Sequence, residues 1–155
     1  MVPVHEDQCL QMKRDFRFFH FLTEEDIRQL QKFFKCRSYA PGEDLWREGD
    51  SSYFIAFITR GRVETKKETE FKGKQVVVGV YGIESLIGIV SLLSKEKRPV
   101  TATALEECSV LILEQESFDT LNREQPELSN RLMKGMLFCL SMRLKQSYER
   151  LAAIF

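Results

Sequence analysis

Histidine is nearly missing from this chain. His5 and His20 are the only two among 155 residues, and both precede the first strongly patterned segment. A Ser-His or Cys-His nucleophile needs a base that the fold holds beside it, and neither imidazole stands near a candidate Ser or Cys with supporting glycines. His20 lies inside Phe18-Phe19-His20-Phe21 and reads as a packing residue. Cysteine is thin as well. Cys9, Cys36, Cys108 and Cys139 lie 27, 72 and 31 residues apart, so no close pair offers the local chelate that structural zinc needs. A chain with an adequate core also needs no disulfide framework. Free thiols are expected, with Cys108 in a strand and Cys139 on a helix as small core residues. Neither an enzyme nor a metal site is expected.

A surplus of either charge is missing too. The 23 Lys+Arg balance 23 Asp+Glu, which speaks against a domain built mainly to hold nucleic acid or an anionic membrane surface. No apolar run approaches the ~20 residues of a membrane span. Met1 to Asp7 is neither basic nor apolar enough for a signal peptide. What is present is 43% hydrophobic and 11% aromatic residues, enough for one core and too little chain for two ordinary domains. The expectation is a cytoplasmic protein with no membrane attachment.

Glycine is scarce at both ends and crowded in the middle. Gly42, Gly49, Gly61, Gly73, Gly79, Gly82 and Gly88 fall in one stretch, and the flanks hold only Gly135. Tight turns therefore belong to the middle, with helices on either side. Thr23 followed by Glu24, Glu25 and Asp26 is a helix N-cap with acids in the first turn, where the helix dipole favours them. Ile27, Leu30 and Phe33 or Phe34 then predict a helix over 24–34, with a weaker helical stretch around 7–18. From Cys36 the period falls to two. Strands are expected at 36–39, 44–46, 53–59, 62–69, 74–80, 86–88, 100–105 and 108–113. The fold class is mainly β with flanking α: an antiparallel eight-stranded β-roll, or double-stranded jelly roll, with an N-terminal helix and a long C-terminal helix. The segment 1–22 precedes a domain spanning 23–155, whose roll covers about 36–115 and whose C-terminal helices cover about 117–153.

Helical spacing returns after Glu114. Ser117 is placed to cap a short helix with Phe118 and Leu121, and Pro126 suits the first turn of a long one. Leu137, Leu140, Leu144, Tyr148 and Leu151 form a seam wide enough for two neighbours. A helix of ~25 residues runs about 37 Å, more than a small roll covers, so its far end is expected to pair with a second copy.

Tyr39-Ala40-Pro41-Gly42-Glu43-Asp44-Leu45, Glu48-Gly49-Asp50, and Phe54-Ile55 through Gly61-Arg62-Val63 together form a recognisable series of motifs. Gly88, Leu92-Leu93, Arg98, Thr101-Ala102-Thr103-Ala104, Leu111, Phe118, Leu121 and Pro126-Glu127-Leu128 continue it. This series resembles the cyclic-nucleotide-binding domain family, which includes the catabolite activators and the regulatory subunits of cyclic-nucleotide-dependent kinases. It covers roughly residues 18–145. A cupin, the competing β-roll, needs histidines on its strands, and both histidines here lie before them.

The resemblance implies a phosphate cassette at Gly88, Ile89, Val90, Ser91, Arg98, Pro99 and Val100. In the family a guanidinium neutralises the cyclic phosphate, backbone N–H groups add donors, and a Glu after the Gly accepts the ribose 2′-hydroxyl. Here Ile89 stands in place of that Glu. The missing charge-assisted bond is worth ~1.5–3 kcal/mol, or ten- to a hundredfold in affinity. Pro99 follows Arg98 where the family has Ser, Thr or Ala, and proline removes one N–H donor. Distance along the long helix points to Phe138, Ser141, Met142 and Lys145 as residues facing a bound base. The ligand implied is cyclic AMP, cyclic GMP or another anionic small molecule. Haem is not expected, because no His, Cys or Met near Gly88–Arg98 offers an axial ligand.

The function implied is a regulatory small-molecule sensor that signals through its C-terminal helix and dimerises there. A ligand-free dimerisation or interaction module is the alternative, as is the effector domain of a catabolite-activator-type transcription regulator lacking its DNA-binding domain. Direct DNA binding by this chain is not expected. Five Lys/Arg against two Asp/Glu after Pro126 is weakly basic, and Phe155 leaves no room for a following helix-turn-helix.

Overall fold

The computed structural model of the protein describes Val2–Pro3 and Arg17–Phe155. His5, Cys9 and nearly all of the helix expected around 7–18 lie outside these residues. In chain order the strands are β1 (Val2–Pro3), β2 (Phe34–Tyr39), β3 (Asp44–Trp46), β4 (Phe54–Arg60), β5 (Val63–Glu68), β6 (Gln75–Tyr81), β7 (Leu86–Ile87), β8 (Thr101–Ala104) and β9 (Cys108–Glu114). The helices are α1 (Glu24–Leu30), α2 (Ile89–Ser94), α3 (Gln115–Glu124) and α4 (Pro126–Ala152). All eight expected strands are present as β2–β9, with ends shifted by at most two residues. The two-residue β1 adds a ninth, pairing Val2 with Cys36 and Pro3 with Lys35.

Two antiparallel sheets form the roll, in the orders β1-β2-β9-β4-β7 and β3-β8-β5-β6. Alternation along β4 and β9 explains the layering, because successive strand side chains leave opposite faces. Ile55, Phe57, Leu111 and Leu113 join a cluster with Ile27, Leu30, Leu121, Leu128, Leu132 and Met136 of the helices. Ala56, Ile58, Val110 and Ile112 enter the other cluster, between the sheets, with Tyr39, Trp46, Val63 and Ala102. The central strands are thus buried on both faces and read as continuous apolar runs.

Thr23 caps α1 in a reciprocal capping box: its Oγ1 accepts from Asp26 N at 3.1 Å, and Asp26 Oδ2 accepts from Thr23 N at 3.0 Å. Asp26 also accepts Arg131 Nε at 2.9 Å and Arg131 Nη2 at 2.7 Å, tying α1 to α4 by a bidentate ion pair. Burial would push this carboxyl up, but the bonds from Arg131 and Thr23 overcome that and hold it below the usual carboxylate range.

Three local expectations need correction. α1 ends at Leu30, a 3-10 turn covers Gln31–Phe33, and Phe34 already belongs to β2, opposite Leu113. α3 starts at Gln115, so Ser117 lies inside it rather than at its cap. The opening N–H of Gln115 is taken by Tyr53 O at 2.9 Å. His20 is exposed while its neighbour Phe19 is buried. In α2, Leu92 is buried and Leu93 is exposed.

Pro126 opens α4 as expected. The buried residues of this 27-residue helix, Leu128 to Met136, all lie in its first half. Leu137, Leu144, Tyr148 and Leu151 are exposed, and Leu140 is half-buried. Among the described residues no helix is long and apolar enough to cross a membrane. None of their His, Cys, Asp and Glu side chains gathers into a group that could hold a metal ion.

Candidate functional site

Arg98 is the largest fully buried side chain, 2% exposed in the loop between α2 and β8. Its backbone is pinned to the Glu48–Asp50 turn, with Arg98 N donating to Asp50 O at 2.9 Å and Gly49 N donating to Arg98 O at 2.8 Å. The guanidinium then reaches inward. Nε donates to Ser52 Oγ at 2.8 Å, Nη2 to Phe54 O at 2.8 Å, and Nη1 to Gly88 O at 3.3 Å. Its central carbon stands 3.8 Å from the Trp46 ring centroid and 4.6 Å from that of Phe54. All three acceptors are neutral, and among the described residues no carboxylate pairs with it. Burial pushes the guanidinium below its usual range to about 10, so it keeps its charge at neutral pH.

Gly88 makes room for that arrangement. Its φ is +88°, and a Cβ there would stand 2.7 Å from Arg98 Nη1, 2.9 Å from Phe54 O and 3.0 Å from Trp46 Cη2. Glycine alone fits on both conformational and steric grounds.

A cavity of about 210 Å³ opens beside the guanidinium. The structure brings Gly88, Ile89, Val90, Ser91, Arg98, Pro99 and Val100 together in its lining. Trp46, Thr65, Val78, Tyr81, Ile87 and Arg143 complete the wall, and sequence reasoning missed these six. Two buried polar atoms of the lining, Ser91 Oγ and Trp46 Nε1, have no hydrogen-bond partner. Orphaned buried donors of this kind are uncommon in structural cores and fit a polar occupant.

The four residues expected to face the site from α4 divide. Phe138 and Met142 line a second cavity of about 350 Å³, which shares Tyr81 and Arg143 with the first. Ser141 and Lys145 are exposed and line neither. Arg143 is the α4 residue that reaches the cassette. It donates to Leu86 O and lies 4.6 Å from the Tyr81 ring centroid. Glu84 lines only the second cavity, so it does not stand in for the carboxylate absent at Ile89.

The family model of the cyclic nucleotide-binding domain matches residues 36–125. The cyclic AMP receptor protein of Thermus thermophilus is 27% identical over 114 residues, which cover 74% of this chain and 52% of that one. The transcriptional activator protein Anr of Pseudomonas aeruginosa is 33% identical over 116 residues, covering 74% and 47%. The chain thus spans about half the length of these relatives. A crystal structure of a cyclic nucleotide-binding domain from Methylobacillus flagellatus superimposes with a TM-score of 0.82 at 22% identity, covering 97% of this chain and 84% of that one. A β-roll that brings Gly88 and Arg98 to one cavity, matched by the family model over more than half its length, belongs to the cyclic nucleotide-binding domain family.

Proposed function

We propose that this chain is a cytoplasmic regulatory sensor: a small anionic ligand enters the cassette cavity, and its occupancy is passed to α4. The observation that carries this reading is Arg98, a buried cation held only by neutral oxygens beside the unpartnered Ser91 Oγ and Trp46 Nε1. A buried charge with no carboxylate in contact is costly to the folded chain, and an anion offsets that cost. α4 is the natural output element. Its opening turns are packed into the core, and beyond them it touches the cavities through Phe138, Met142 and Arg143. A shift of that later part on binding is a population change between two packings of one helix.

Cyclic AMP and cyclic GMP are the first ligands to try, given the regulators this chain resembles. With Ile89 in place of the family's carboxylate, the affinity is expected to be ten- to a hundredfold weaker than in a cassette that keeps it, about 1.5–3 kcal/mol. Calorimetry on the chain with both nucleotides and with cyclic dinucleotides tests this. No heat and no thermal shift at millimolar concentration for any of them removes the nucleotide version.

The exposed Leu137, Leu144, Tyr148 and Leu151 of α4 support homodimerisation through that helix. Sedimentation analysis is expected to give a dimer that Leu144→Glu with Leu151→Glu converts to monomer. A wild-type monomer at tens of micromolar rejects the dimer.

A further inference from the structure

We propose that the cassette cavity is built for a small dianion with an apolar body, its two negative charges shared between Arg98 and Arg143. The inference rests on the cavity being a ligand site and names the class of ligand.

The charge content of the wall carries the argument. Among the described residues Arg98 and Arg143 are the two ionisable cations of the lining, and no Asp or Glu side chain of theirs lines this cavity. Neither guanidinium is paired with a carboxylate among the described residues: Arg98 donates to three neutral oxygens and Arg143 to Leu86 O. Guanidinium groups only donate, and Trp46 Nε1 is likewise a donor alone. The unmatched polarity of the wall therefore asks for acceptors and for negative charge. A cyclic nucleotide brings a single charge on its phosphate, together with ribose hydroxyl donors. At Ile89 the wall meets such a donor with a hydrocarbon side chain. A second negative charge, by contrast, finds Arg143 already turned to the cavity, its plane supported against the Tyr81 ring. Val78, Ile87 and Ile89 leave the body of the ligand an apolar bed.

The same contact gives Arg143 a reporting role. It is the α4 side chain in the lining of this cavity, and its bond to Leu86 O ties the helix to β7. A negative group that recruits the guanidinium competes with that carbonyl, so binding and helix position are linked.

Calorimetry on the chain in a phosphate-free buffer of low ionic strength compares two matched pairs: isophthalate with benzoate, and phenyl phosphate with methyl phenyl phosphate. The first pair spreads its two charges and the second concentrates them, so the two arms separate a dicarboxylate from a phosphomonoester. In at least one pair the dianion is expected to bind about tenfold tighter or better. Arg143→Gln should bring that ratio close to one while leaving the monoanion's affinity unchanged, and Arg143→Lys should keep part of it. Circular dichroism on each variant establishes that α4 remains folded. Equal affinity within both pairs, or a preference that survives Arg143→Gln, overturns the dianion while leaving the cavity as a ligand site. Tight binding of a cyclic nucleotide with none of the four probes bound also overturns it, with the sensor reading intact. Silence for every compound overturns both.

Discussion

Arg131 and Arg98 solve the same problem in opposite ways. Each brings a guanidinium out of full solvent, Arg131 at the junction of α1 with α4 and Arg98 inside the roll. Arg131 meets a carboxylate in a bidentate pair, and Asp26 in turn closes the cap of α1. Arg98 meets carbonyls, a hydroxyl and two ring faces, and among the described residues no carboxylate touches it, Asp50 acting on its charge only from a distance. A cation completed within the chain serves the fold. A cation with no carboxylate in contact, in a wall with orphaned donors, is the one that the proposed anion would complete.

The largest effect expected is at the glycine that makes Arg98 possible. Gly88→Ala places a Cβ in backbone and ring atoms at positive φ, and should cost about 3 kcal/mol or more of stability, read by denaturant unfolding. A loss under about 1 kcal/mol would mean that the cassette relaxes freely. Next comes Arg98→Gln, expected to weaken anion binding by about a hundredfold in calorimetry, whereas Arg131→Gln leaves that affinity unchanged. Equal effects of the two would erase the contrast between them. Third is Asp26→Asn, expected to cost about 2 kcal/mol of stability at neutral pH. Because the Asp26 carboxyl is held below its usual range, its contribution is full above the unfolded value of about 3.9 and is lost as pH falls through the folded value. Thermal denaturation of the wild type should therefore show an acid-side decline that Asp26→Asn flattens, and that Arg98→Gln leaves in place.

The roll was legible in the sequence because its signals are local. Turn glycines and a change of period delimit strands whatever lies beside them, and the cassette positions follow from the order of motifs. What escaped depends on distant partners. Phe33 and Phe34 extend the helical spacing of α1, but pairing with β9 draws Phe34 into a strand. Ser117 is a good cap by type, yet α3 begins earlier because Tyr53 O meets its first N–H. Arg143 could have been found by extending the buried stripe of α4 from Leu128 through Leu132, Met136 and Cys139 in steps of three and four. A charged residue on that stripe reads as solvated until the roll is seen to present Leu86 O and the Tyr81 ring to it.

The backbone clasp between Arg98 and the Glu48–Asp50 turn has one more consequence. The chain holds its anchor by main-chain bonds, which most replacements of neighbouring side chains leave untouched. Val90 and Pro99 sit at the rim and are exposed, where a substitution usually changes stability by no more than about 0.5 kcal/mol. Rim residues of the proposed site can therefore be exchanged one at a time to change which ligand it would favour. Each intermediate stays folded, and the guanidinium never leaves its post.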